Sequence, residues 1–186
     1  MIRIQSAGTL ALISSVLLSS CNTYFDPVDP YVRGVRFYDR GQYDVSAQLW
    51  DPLVEKGDCD AEYWVGMLHF MGQAKPQDND KAITLWRKAA AGNHPKAQGA
   101  LGDLHYQSTA TAHRCAKCDI QKDLVQAYVW YRLLERSARY DGERRYVKYI
   151  LAKLEPEMSS DQVAEGARLI SQWKPTPKDC GARSLW

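Results

Sequence analysis

Five cysteines carry most of the reactive chemistry in this chain: Cys21, Cys59, Cys115, Cys118 and Cys180. Cys115-Ala-Lys-Cys118 has the spacing of a redox dithiol, yet no strand–helix pattern surrounds it as a thioredoxin-type site requires. Haem attachment needs a histidine after the second cysteine, and Asp119 stands there. A zinc site built from His113, Cys115 and Cys118 lacks a fourth ligand. A disulfide closing a short loop is the simpler reading. No serine, cysteine or paired carboxylate lies in a recognisable catalytic context, so the sequence offers no enzyme, no cofactor site and no small-molecule substrate. His69 and His105 recur at one spacing, which points to packing or hydrogen bonding inside a repeated unit; His94-Pro95 reads as a turn.

The compartment of these cysteines follows from the N-terminus. Arg3 provides a thin positive region, Ala7 to Leu18 a short apolar one, and no acid occurs before Asp26. An apolar run of about twelve residues falls short of the roughly twenty that span a bilayer. Residues 1–20 therefore read as a cleaved export signal. Leu18-Ser19-Ser20-Cys21 resembles the bacterial lipobox. The resemblance implies a thioether-linked lipid on Cys21, since only a thiol forms that bond, and acylation of the freed amine. Two or three acyl chains anchor a protein stably where one does not. Residues 21–29 form a tether that reaches at most about 30 Å. Asn22 carries no clear inner-membrane retention signal, so an outer-membrane site facing the periplasm rests on resemblance alone.

A net charge of +2 is too small to imply nucleic acid, which an exported protein would not meet in any case. Arg132, Arg136 and Arg139 fall on one face if a single helix runs through them, with Arg144, Arg145 and Lys148 nearby. Such a row is ordinarily solvated surface. Its functional reading is a dock for an acidic partner or an anionic envelope polymer.

The elements that must position these residues are helices. Asp29-Pro30 reads as an N-cap followed by proline at the first helical position. From there to Trp173 no run alternates as a strand would. Self-similarity at a fixed period decides the architecture. Leu49-Trp50 returns as Leu85-Trp86, and Gly57 as Asn93, thirty-six residues later. At that same offset Ala61, Gly66, Leu68 and His69 become Ala97, Gly102, Leu104 and His105. Asp123, Ala127, Trp130 and Tyr131 continue a third copy after nine inserted residues, matching Asp78, Ala82, Leu85 and Trp86. Each copy is a helix–turn–helix whose small residues admit close helix approach while Leu and aromatic residues fill the gaps. Gly57 and Asn93 sit where a helix ends in a left-handed residue.

Ala97, Leu101-Gly102 and Tyr106, with Asp78, Lys81-Ala82, Leu85-Trp86 and Lys88-Ala89-Ala90, resemble the Sel1-like branch of the tetratricopeptide superfamily. The first copy, around Gly41-Gln42-Tyr43 and Ala47, is degenerate. Residues 158–167 are similar to the closing helix that follows bacterial Sel1-like arrays, and Ser159 with Gln162 forms a capping box there. The resemblance implies an all-α, right-handed solenoid of three to four repeats with a C-terminal capping helix. Its expected limits are a repeat domain at 30–174, with repeats near 31–57, 58–93 and 94–138 and closing helices over 141–173. A tail of residues 175–186 follows.

This geometry selects a disulfide pairing. Cys115 and Cys118 lie between the two helices of the third copy, whereas Cys59 lies in a connection between copies, at the other end. A helix of twelve residues separates those ends by about 18 Å, and a disulfide needs Cα atoms within about 7 Å. The closing helix delivers the tail to the end that holds Cys59, and seven residues to Cys180 cover roughly 23 Å. The expected pairs are Cys115–Cys118 and Cys59–Cys180. The function implied by the resemblance is a membrane-tethered adaptor for other envelope proteins. The alternatives are an accessory of polysaccharide export or cell-wall binding, and a thiol-redox or metal protein centred on Cys115 and Cys118.

Overall fold

A computed structural model describes residues 28–106, 121–176, 178 and 180. Eight α-helices and no strand occur among the described residues. In chain order they are α1 (Pro30–Tyr38), α2 (Tyr43–Glu55), α3 (Cys59–Met71), α4 (Asn79–Ala91), α5 (Pro95–Tyr106), α6 (Leu124–Ser137), α7 (Asp141–Leu154) and α8 (Ser160–Gln172), with a 3-10 turn at 155–157 before α8. None of them is long and apolar enough to cross a membrane.

Helix starts follow from side chains that satisfy the first free N–H groups. Asp29, Asp58, Asp78 and Asp123 accept from the backbone N–H of Tyr31, Ala61, Lys81 and Gln126 at 2.8–3.0 Å. Ser159 and Gln162 exchange reciprocal bonds at the start of α8. Gly57 (φ 76°) and Asn93 (φ 62°) follow α2 and α4 in the left-handed conformation that glycine and asparagine tolerate best.

The helices pack as successive hairpins, α1 on α2, α3 on α4 and α5 on α6, each also touching the next pair. This is an α-solenoid of helical hairpins. The first helix of each hairpin carries a glycine against which an aromatic ring of the second helix lies: Gly34 under Trp50, Gly66 under Trp86, and Gly102 under Tyr131. Trp50 and Trp86 are buried, and their indole N–H groups donate to the carbonyls of Tyr31 and Tyr63, in the turn before each glycine. Helix α6 receives both closing elements, α7 and α8. Gly166 of α8 sits directly on the ring of Tyr128, so the last helix closes the array by the same device.

Candidate functional site

Of the cysteines singled out in the sequence, Cys21, Cys115 and Cys118 lie outside the described residues, as does His113. Cys59 is the first residue of α3 and is disulfide-bonded to Cys180, with Cα atoms 5.1 Å apart. The bond belongs to a wider clasp. The Thr176 N–H donates to the carbonyl of Ala91, and the Lys178 ammonium pairs with both oxygens of Glu62 at 2.7 and 2.8 Å. The Trp173 indole N–H reaches Asn93 Oδ1, and the Arg139 guanidinium donates to the Cys180 carbonyl. Gly92 lies so close to the bridge that a β-carbon there would overlap Cys180 Sγ. Trp173, Thr176, Lys178 and Cys180 thus strap the start of α3, the α4–α5 connection and the α6–α7 connection together.

The arginine row does not form. Helix α6 stops at Ser137, and Ala138 turns the chain into extended backbone (ψ 123°), which carries Arg139 off the helix and into the clasp. Arg132 is half-buried over the ring of Tyr128 and bridges Glu135 and Glu155 at 2.8 and 2.5 Å. Only Arg136 remains exposed on α6 without an ion-pair partner among the described residues.

The histidines divide into two kinds. His69 is buried and its Nδ1 lies 3.3 Å from the Pro76 carbonyl. The carbonyls of His69 and His105 accept from the N–H of Asp78 and Asp123, so the two residues hold equivalent places in successive repeats. Burial pulls both imidazoles below their usual range. His94 is more than a turn residue. Its Nδ1 accepts from the Ala97 N–H and caps α5, which makes Nε2 the protonated nitrogen, and that donates to Asp60 of α3 at 3.0 Å. Among the described residues no three His, Cys, Asp or Glu side chains group as a metal would require.

A concavity across α3, α5 and α7 holds about 640 Å³, within the range of about 300–1,000 Å³ typical of binding pockets. Tyr63, Met67 and Phe70 form one wall, Gly99, Ala100 and Leu104 the floor, and Tyr146 of α7 the opposite wall. Asp103 stands in this groove. Tyr131 donates to its Oδ1 at 2.7 Å, and the Tyr146 hydroxyl donates to the same oxygen. No described residue donates to Oδ2. Burial raises the Asp103 carboxyl above its usual range, against the lowering effect of the two hydroxyls. The same burial pushes the Tyr63 hydroxyl up to about 12.

The groove exists because two repeats differ where the rest of their register agrees. Gly99 and Ala100 occupy the places of Tyr63 and Trp64, and Asp103 the place of Met67, each at the thirty-six-residue offset. Small side chains on α5 leave open the space that aromatic ones fill on α3. The signal for this site in the sequence is Asp103, an acidic residue inside the otherwise uncharged Ala97–Tyr106 stretch.

Stacked helical hairpins with a groove across their first helices define a class of repeat protein. Residues 59–94 and 95–134 match the family model described as Sel1 repeat. These two stretches are thus similar to Sel1 repeats. The chain is also similar to the crystal structure of c5321, a protective antigen present in uropathogenic Escherichia coli strains and displaying an SLR fold. That match has a TM-score of 0.64 and 19% identity, covering 83% of this chain and 33% of that one. The chain thus spans about a third of the length of that structure. No curated protein matches the chain.

Proposed function

We propose that this protein is a lipid-anchored adaptor of the bacterial envelope that offers the groove across α3, α5 and α7 to a partner protein. Sel1 repeats suggest a protein-interaction scaffold, and the observation that carries the reading here is the groove itself. It is lined by aromatic and small side chains and contains a carboxylate with an oxygen that no described residue uses. The anchor rests on Leu18-Ser19-Ser20-Cys21, which supports export and lipidation at Cys21. The outer membrane, facing the periplasm, is the location this reading assigns.

A photo-crosslinking amino acid in place of Ala100, in the groove, should give a discrete envelope adduct in cells. The same amino acid in place of the exposed Arg87 on α4 should give none. Equal crosslinking at both positions, or none at position 100, would count against the groove. Cys21→Ser should release the chain from membranes or block its processing, and unchanged membrane partition would overturn the anchor.

A further inference from the structure

We infer that the groove selects a partner segment bearing a cationic side chain, arginine or lysine, which Asp103 receives through Oδ2 between the rings of Tyr63 and Tyr146. This rests on the groove being the docking surface. Charge complementarity carries the rest. The cavity is lined by two carboxylates, Asp103 and Glu143, and one ammonium, Lys96, for a net charge of −1. None of these charges cancels Asp103. The Lys96 ammonium lies over the Trp64 ring, 5.4 Å from its centroid, and Glu143 accepts the backbone N–H groups of Arg139 and Tyr140 through Oε2.

Asp103 is held in place by two hydroxyl donors on Oδ1, which fixes the carboxylate without neutralising it. A carboxylate so placed gains most from a charged donor, because charge-assisted bonds are about twice as strong as neutral ones. The walls suit the same guest. Tyrosine faces attract cations, and the methylene stem of lysine or arginine packs on apolar surface such as Met67 and Leu104. An acidic guest would face like charge here. A neutral apolar guest would fill the floor and leave Oδ2 desolvated without a partner, at a cost.

The test uses the full chain, purified with its disulfide intact, and capped pentapeptide libraries with mixed apolar flanks. The central residue is fixed as Arg, Lys, Met or Glu. The Arg and Lys libraries should be retained roughly tenfold better than the Met library, with the Glu library last. Asp103→Asn should reduce Arg retention to the Met level, and Tyr146→Phe, which keeps the carboxylate, should preserve the preference. Should Asp103→Asn fail to fold, salt decides on the unmodified chain: raising NaCl from about 0.05 to 0.5 M should weaken the Arg library and spare the Met library. Equal retention of Arg and Met libraries, or salt-insensitive Arg binding, would overturn cation selection and leave the adaptor groove standing. Agmatine binding as tightly as the Arg library would overturn the peptide and make the site one for small amines. Retention of no library, or retention that survives Ala100→Trp, would remove the groove and this inference with it.

Discussion

A β-carbon on Gly66 would lie 2.5 Å from the indole nitrogen of Trp86, and one on Gly102 would lie 2.6 Å from the ring of Tyr131. These glycines set the distance between the two helices of a hairpin, because the ring occupies the space a side chain would take. Gly66→Ala and Gly102→Ala should each cost about 1–3 kcal/mol by overpacking. Gly99, one turn before Gly102 on the same helix, is a control. A β-carbon there meets only Leu134 at 3.5 Å, an ordinary contact. Gly99→Ala should therefore stabilise α5 by about 0.5–1 kcal/mol through its backbone propensity. Urea unfolding of the three variants checks this; a loss at position 99 equal to that at 102 would refute the assigned geometry. Trp86→Ala should cost about 3–5 kcal/mol, since the ring is 2% exposed.

The fold was legible because residues that build hairpin contacts must repeat. Ala61 with Ala97, Gly66 with Gly102 and Leu68 with Leu104 meet the same neighbours in each copy, so selection for packing writes a period into the sequence. The groove was harder to see for the same reason. It is made where copies differ, at Tyr63 against Gly99 and Met67 against Asp103, and its far wall comes from α7, which lies outside the register. The arginine row failed at a helix end that has no glycine or proline to announce it. Ser137 closes α6 by bonding its hydroxyl to Gln98 and to the Leu134 carbonyl, a tertiary arrangement that spacing does not encode.

The clasp gives a second prediction. Cys59→Ala with Cys180→Ala should lower stability by about 2–4 kcal/mol, and reducing agent should bring the parent chain down at least as far. Non-reducing peptide mapping should recover Cys59 with Cys180, and is expected to recover Cys115 with Cys118. Beneath the bridge, Glu62 is 2% exposed and its carboxylate depends on Lys178. Lys178→Met should destabilise more than the Glu62→Gln, Lys178→Met double variant, since it strands a buried charge. The reverse order would mean that Glu62 is solvated.

Acidification should act through His69 and His105. Burial is the largest influence on both and lowers them from 6.5 in the folded chain. Below 6.5 the unfolded chain takes up these protons first, so their stabilisation is present above 6.5 and is lost as pH falls through it. The His69→Gln, His105→Gln variant should show a flatter decline in unfolding free energy between about pH 7 and 5. A decline of unchanged slope would place the acid sensitivity elsewhere.

Asp103 should behave oppositely, and this separates a binding carboxylate from a structural one. Its folded value is raised from 3.8, chiefly by burial, so within the window above 3.8 the folded chain holds a proton that the unfolded chain has released. Stability then falls as pH rises through that window, and the charged carboxylate remains a fixed cost above it. The groups facing it do not reverse the sign. Tyr131 of α6 and Tyr146 of α7 donate to it as neutral hydroxyls, while Tyr63 of α3 is held protonated by burial. Glu143 of α7 adds like charge, and the one lining cation, Lys96 of α5, lies over Trp64. Asp103→Asn keeps the shape and an acceptor for both hydroxyls. It should match the parent below pH 3.8, gain stability over it as pH rises, and lose preference for cationic peptides. Urea unfolding across the acidic range, run beside the peptide assay, reads both effects. A variant less stable than the parent at neutral pH would mean that the Asp103 charge holds the fold together, and the site would then be a brace between α5, α6 and α7.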